Sequence, residues 1–271
     1  MKKSLFAAAA VLIVAAQPAY ADETDPPKAL TVNGSVALVS DYRFRGVSQS
    51  DEEGALQGGF TVTHESGLYA GTWASNLAGW GAFGGANLEL DIFGGYKRQF
   101  GGATVDVGLT WYMYPGGAST TDFVEPYVKV SGTIGPVNVL TGVAYAPKQR
   151  ALGNFSNTPF SRGQTDDNLY LWGDANVAIP KTPFTAKAHI GYSDGNPGLG
   201  PNGTSVAPTG TYLDWLFGVD AAVGPLVLGV AYTDTDISQA GSAYLLPNFS
   251  STKDGGSIAG GQVVFSVSAA F

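Results

Sequence analysis

The sequence predicts an all-β fold, a transmembrane antiparallel up-and-down β-barrel of about twelve strands. Three observations predict it. Apolar and polar residues alternate with a period of two along most of the chain. Short and long connections alternate between those segments. The last segment keeps alternating up to the terminal Phe271. No helix-period stretch competes with these signals. Beyond residue 21, no run of 18 or more apolar residues offers a membrane-spanning helix.

Alternation with a period of two marks a strand with two unlike faces. Residues 30–45 show it best: Leu30, Val32, Gly34, Val36, Leu38, Tyr42 and Phe44 oppose Thr31, Asn33, Ser35, Asp41, Arg43 and Arg45. Residues 103–113 set Val105, Val107, Leu109, Trp111 and Met113 against Thr104, Asp106, Thr110 and Tyr112. The same pattern runs through 123–134, 168–179 and 184–193, and further segments start near 55, 68, 87, 137, 212, 226 and 261. The segment at 68–76 is the weakest, because both of its faces are mixed.

The connections give the topology. Short turns sit at Glu65-Ser66-Gly67, Phe100-Gly101-Gly102, Gly135-Pro136, Pro180 to Pro183 and Gly224-Pro225. Long polar loops sit near 46–54, 77–86, 115–122, 147–167, 194–211 and 236–260. Tight turns on one side and longer loops on the other are the habit of transmembrane barrels. With this phase both termini fall on the short-turn, periplasmic side, which demands an even number of strands.

Aromatic residues argue for lipid outside rather than a soluble core inside. On the apolar face Tyr42, Phe44, Trp111, Tyr145, Tyr192 and Tyr232 all fall near the outer ends of their strands, a girdle at one height. Phe184, Tyr96 and Tyr69 are expected in a lower girdle. The final strand, with Val263, Phe265, Val267, Ala269 and Phe271 on one face, looks like the assembly signal of outer-membrane barrels.

The N-terminus reads as a secretory signal peptide over residues 1–21. Lys2 and Lys3 precede the apolar run Leu5 to Ala16, and Ala19-Tyr20-Ala21 is a small-x-small cleavage site before Asp22. The apolar run is about a dozen residues, too few for the roughly 20 of a spanning helix. Residues 22–29 then form a short periplasmic segment and 30–271 the barrel. Removing the leader takes two of the 14 basic residues and none of the 22 acids, so the mature net charge is −10. Such a chain attracts neither nucleic acid nor anionic lipid by bulk charge. It has 38 Gly and no Cys. A cysteine-free exported chain must be held together by something other than disulfides, and a closed hydrogen-bonded barrel is one answer.

The stretch Ser40-Asp41-Tyr42-Arg43-Phe44-Arg45-Gly46-Val47-Ser48-Gln49-Ser50 resembles the opening signature of the TorF-type porin family of proteobacteria. Glu125-Pro126-Tyr127-Val128-Lys129-Val130 is similar to a strand of that family, and the length and the Phe terminus fit it. The resemblance covers nearly all of 30–271. It implies an outer-membrane porin and names no solute.

By parity, the candidate pore-lining residues are Asp41, Arg43, Arg45, Glu89, Asp91, Glu125, Lys129, Asp174, Lys187, His189 and Asp214, with Lys97, Asp106, Asp220 and Asp234 as further lumen charges. Such a lining either sets ion preference or forms a salt-bridge net that stabilises the wall. A second inward cluster is aromatic: Tyr112, Tyr114, Phe123, Tyr127, Tyr170 and Trp172. It either stacks flat solutes or fills a narrow barrel and anchors loops. The expected function is passive diffusion of small hydrophilic solutes or ions through a narrow charge-lined lumen. The alternative is a non-conducting barrel whose long loops bind a partner. A barrel lipase would need His beside Ser on the lipid face near the outer leaflet. His64 belongs at the periplasmic end and His189 points inward, so no enzyme is expected. No cofactor or metal is implied, although Asp234 and Asp236 are spaced as loop acids that take Ca²⁺ in other settings. The expected partners are outer-membrane lipid, the barrel assembly machinery and small solutes, with no nucleic acid.

Overall fold

A computed structural model describes residues 29–156, 159, 162–197, 205–238 and 249–271. The expected leader, nearly all of the 22–29 segment and parts of three long loops lie outside these residues. The described chain forms a closed antiparallel barrel of twelve strands. The wall consists of β1 (Leu30–Val39), β4 (Ala55–His64), β5 (Leu68–Asn76), β6 (Leu88–Phe100), β7 (Ala103–Met113), β8 (Phe123–Ile134), β9 (Val137–Gln149), β10 (Asp166–Ala178), β11 (Phe184–Asp194), β12 (Thr211–Val223), β13 (Leu226–Thr235) and β14 (Gln262–Ala270). Two further strands, β2 (Arg43–Phe44) and β3 (Val47–Ser48), form a separate hairpin inside the first long loop. Each wall strand pairs with its neighbours in sequence, and β1 closes on β14. The short turns gather at one end with both termini, and the long loops gather at the other.

Alternation explains why this chain closes. Along β1, Leu30, Val32, Val36 and Leu38 are exposed on the outer wall; Val107, Leu109 and Trp111 on β7 and Leu228, Val230 and Tyr232 on β13 follow suit. A continuous apolar exterior belongs in hydrocarbon, where every backbone N–H and C=O must be satisfied within the protein. Closure achieves this by leaving no sheet edge. Trp111, Tyr145 and Tyr232 project outward near the long-loop end, and Tyr96 and Phe184 near the short-turn end. Tyr69 does not join the lower girdle, because its hydroxyl turns inward and donates to Asp106 Oδ1 at 2.5 Å.

The expected first strand, 30–45, stops at Val39. Beyond it the chain turns into the barrel. Arg45 and Gly46 have φ of 50° and 81°, the two positive values that a tight two-residue hairpin turn needs. Alternation persists past the strand end because β2 and β3 are themselves extended. Tyr42 and Phe44 are therefore not lipid-facing. They are buried in the interior, packed among Leu77, Trp80, Phe83, Tyr112, Tyr114 and Phe123.

The seam is made at the chain's end. Phe271 N–H donates to the Gly34 carbonyl at 2.9 Å, and Gly34 N–H donates to the Phe271 carbonyl at 2.7 Å. Its ring lies across Gly34, where a Cβ would meet ring carbon Cε2 at 2.5 Å. A chain ending at Ala270 loses both bonds. We expect it to yield less heat-modifiable, folded barrel than the full chain at equal synthesis, as read by gel mobility before and after boiling. Equal amounts would contradict this role for the seam.

Candidate functional site

The candidate site is the interior, and the hairpin between Val39 and Ala55 organises it. Asp41 ties the base of the hairpin. Its carboxylate accepts from Ser48 Oγ at 2.5 Å and from Arg43 Nε at 2.6 Å. Arg43 also donates to the carbonyls of Gly46 at 2.9 Å and Gly260 at 2.8 Å, and pairs with Glu52 at 3.1 Å. Arg43 therefore folds the loop on itself. Burial lifts the Glu52 carboxyl above its ordinary pKa, against the pull of the Arg43 guanidinium.

Arg45 does a different job at the hairpin tip. One guanidinium nitrogen donates to Asn168 Oδ1, and another donates to Glu125 Oε1 at 2.6 Å. The guanidinium lies 4.3 Å from the centre of the Tyr170 ring and 4.7 Å from that of Phe44. Its own carbonyl accepts from the Tyr212 hydroxyl at 3.0 Å. One side chain and its backbone thus tie the hairpin to β8, β10 and β12. A non-glycine residue at positive φ is strained and persists only where its surroundings hold it there, and these contacts hold Arg45.

The sequence-predicted aromatics line this plug. Tyr112 and Phe123 stack 4.4 Å apart, with Phe44 edge-on to Tyr112 at 5.9 Å. Tyr114 packs on Phe83. Tyr170 and Trp172 stack at 5.6 Å, and the Tyr170 hydroxyl donates to Asp214. Glycines make room for them: the Trp172 ring occupies the space of a Cβ at Gly142, and Tyr170 and Asp214 do so at Gly191.

Beneath the plug, charges pair across neighbouring strands. Lys187 meets Asp220 at 2.6 Å, and Lys129 lies 3.5 Å from Asp106. The two ring nitrogens of His189 face Asp174 at 2.7 Å and Asp214 at 3.2 Å. Nε2 also meets the Tyr170 hydroxyl at 2.9 Å, so the ring, the phenol and the two carboxylates form one hydrogen-bond network. A cavity of about 80 Å³ lies between this wall and the hairpin, lined by Asp41, Arg43, Gln57, Asp174, Lys187, His189 and Asp214.

Every predicted pore-lining residue faces the interior, but Asp41, Arg43 and Arg45 do so from the hairpin rather than from a strand. Arg45 takes Glu125, whereas Glu89 accepts the Tyr42 hydroxyl at 2.8 Å. Asp234 turns outward and accepts from Tyr232, and Asp236 accepts from the Leu213 backbone. His64 stays at the short-turn end beside Ser66. Asn168 and Tyr212 hold Arg45 and were not singled out in the sequence. Their inward parity was readable, their common partner was not.

A family model described as "Bacterial protein of unknown function (Gcw_chp)" matches residues 22–271. The chain belongs to this family. Within the Gcw_chp chain, the long hairpin-bearing segment and the barrel wall both fall inside the match. No curated protein matches the sequence. Among solved structures, one described as "Unveiling the Mechanism Behind the in-meso Crystallization of Membrane Proteins" is 8% identical over 89% of this chain and 83% of that one, with a TM-score of 0.52. The COG4313 outer membrane channel from Pseudomonas putida F1 is 11% identical over 92% and 100%, with a TM-score of 0.42. The first of these similarities speaks to the fold alone, and nothing further is drawn from the second.

Breaking a buried ion pair from one side strands the other charge, at about 3–5 kcal/mol. Glu125→Gln and Arg45→Met should each destabilise the barrel by about that much, and the double variant by clearly less than their sum. Urea unfolding of the folded barrel in detergent micelles reads this cycle. Additive losses would show that the pair is not coupled.

Proposed function

We propose that the protein is an outer-membrane channel for small hydrophilic solutes or ions, with its lumen narrowed by the Val39–Ala55 hairpin. This is the finer reading that the resemblance to TorF-type porins suggests. The observation that carries it is the unlike character of the two faces: an apolar exterior and an interior lined by Asp41, Asp174, Lys187, His189 and Asp214 around a cavity. Twelve strands sit between small barrels filled by side chains and the 16–18-stranded porins with open channels, so a narrow path fits this wall. Localisation in the outer membrane follows from the signal peptide and the C-terminal strand as read from the sequence. Export and insertion would bring in the barrel assembly machinery.

Selectivity follows from the lining. Counting the buried Glu89, Asp91, Glu125, Arg43, Arg45 and Lys129 with these lining residues, interior carboxylates outnumber basic groups, and fixed charges act strongly within the roughly 8 Å screening length of physiological salt. A cation entering is stabilised and an anion repelled. Arg43 and Arg45 do not form a free anion-attracting strip, since both are paired with carboxylates.

One observation favours a second reading, a non-conducting barrel that binds a partner through its long loops. Phe44, Trp80, Phe83, Tyr112, Tyr114 and Phe249 fill the long-loop half of the interior as a continuous apolar cluster. Single-channel recording under a KCl gradient separates the two. The channel reading expects small, weakly cation-preferring currents that lose preference as salt rises. It also expects a several-fold larger or more frequently open conductance in Arg45→Gln, because the hairpin loses its tie. Silence from both folded proteins would favour the second reading, and an anion-preferring wild type would overturn the selectivity.

A further inference from the structure

The cavity of about 80 Å³ beneath the hairpin has a charged wall with bonding capacity to spare. Asp174 on β10 stands opposite His189 on β11, and Lys187 lies two residues along β11 on the same inner face. Such diagonal neighbours sit about 7–8 Å apart. Each has a partner of its own: Asp174 Oδ1 meets His189 Nδ1 at 2.7 Å, and Lys187 donates to Asp220 Oδ1 at 2.6 Å. Among the described residues, no ion pair joins Asp174 to Lys187. Asp174 Oδ2 and the other ammonium protons of Lys187 therefore remain for a further partner. Both residues line the cavity, whereas Asp220 does not. The Asp174 side chain keeps 19% exposure inside the barrel.

The rest of the lining limits what fits. Thr233 and Ser266 bring two hydroxyls to the same space, and Leu216 and Val264 bring apolar surface. The volume is about half the ~150 Å³ of an engineered cavity that takes benzene, so the occupant is smaller than a six-membered ring. A simple acid would meet Lys187 but face the charge of Asp174. A simple amine would meet Asp174 but face the charge of Lys187. A molecule with an ammonium and a carboxylate on one carbon answers both, through charge-assisted hydrogen bonds. It also brings no net charge out of water, which spares the cost of an unpaired buried ion.

We propose that this cavity binds a small zwitterion of the α-amino-acid class, of which glycine is the smallest member. Its ammonium sits on Asp174, and its carboxylate on Lys187 and the Thr233 and Ser266 hydroxyls. The inference rests on the channel reading for the solute's route, and it names a solute class for that route.

The test uses the full mature chain folded in detergent micelles, with glycine as the probe and saturation-transfer NMR as the readout. Glycine should give a saturable signal. Acetate, which lacks the ammonium, and methylamine, which lacks the carboxylate, should each bind at least about tenfold more weakly, the loss of one charged hydrogen bond. Phenylalanine, with the same two charges and a ring, should not displace glycine. Asp174→Asn should weaken glycine binding about tenfold, while its amide can still meet His189. His64→Gln, at the short-turn end, should leave binding intact. No saturable glycine signal overturns the proposal. So does acetate or methylamine matching glycine, displacement by phenylalanine, or undiminished binding in Asp174→Asn. If Asp174→Asn does not fold, the probe comparison in the unaltered chain decides. Uptake of labelled glycine into vesicles carrying the folded barrel reads conduction separately. Saturable binding without uptake would overturn the channel reading and leave this one standing; uptake without saturable binding would do the reverse.

Discussion

The Arg45 guanidinium and the Glu125 carboxylate meet at 2.6 Å, each 4% exposed at the side chain, inside a barrel whose outer wall is apolar. Neither charge is tolerable there alone. Their separation in sequence is 80 residues, so the contact exists only when β8 is in place and the first loop has turned inward. That requirement couples the wall to the plug. Asn168 and Tyr170 on β10 and Tyr212 on β12 complete the enclosure, and the aromatic cluster then packs around a hairpin already fixed in position. Buried ion pairs are weak sources of net stability. The value of this pair is positional, because the Arg45 side chain and backbone link the hairpin tip to three strands.

The two halves of the interior follow different physics. Toward the long loops, the hairpin and the loop segments bury apolar and aromatic side chains, and the interior resembles a protein core. Toward the short turns, pairs such as Lys187–Asp220 and His189–Asp174 line the wall and leave space beside them. On the proposed reading, a solute meets the packed half first, and the charged half sets its preference. The conserved quantity in both halves is neutralisation: most interior charges have an opposite partner within 3.5 Å. Glu89 and Asp91 are the departure from that pattern.

The wall was legible in the sequence because two rules act locally. Side chains alternate along a strand, and Gly or Pro marks the tight turns. Residues 103–113 and 184–193 needed no other information. The plug was not legible for the same reason: alternation runs unbroken from β1 through Phe44, although the chain leaves the sheet at Ser40. The cue lay in Arg45-Gly46, where a glycine supplies one of the positive φ values of the turn, followed by the small polar residues that Asp41 captures. The inward direction of Glu125, Tyr170 and Asp214 could be read by parity. Which of them would receive Arg45 depended on the curvature of the closed barrel, which no local pattern encodes.

Burial of the hairpin is the point on which the rest of the structure turns, and the chain's lack of cysteine permits a direct measurement. Val47 is fully buried in β3, whereas Lys253 is half-exposed. Single Val47→Cys and Lys253→Cys variants, folded in lipid vesicles, are exposed to a membrane-impermeant maleimide, and their labelling rates are compared. With the hairpin seated inside the barrel, Val47→Cys labels at least an order of magnitude more slowly than Lys253→Cys, and adding Arg45→Gln speeds it. Equal rates for the two positions in the otherwise unaltered chain would place the hairpin outside the barrel and contradict the account.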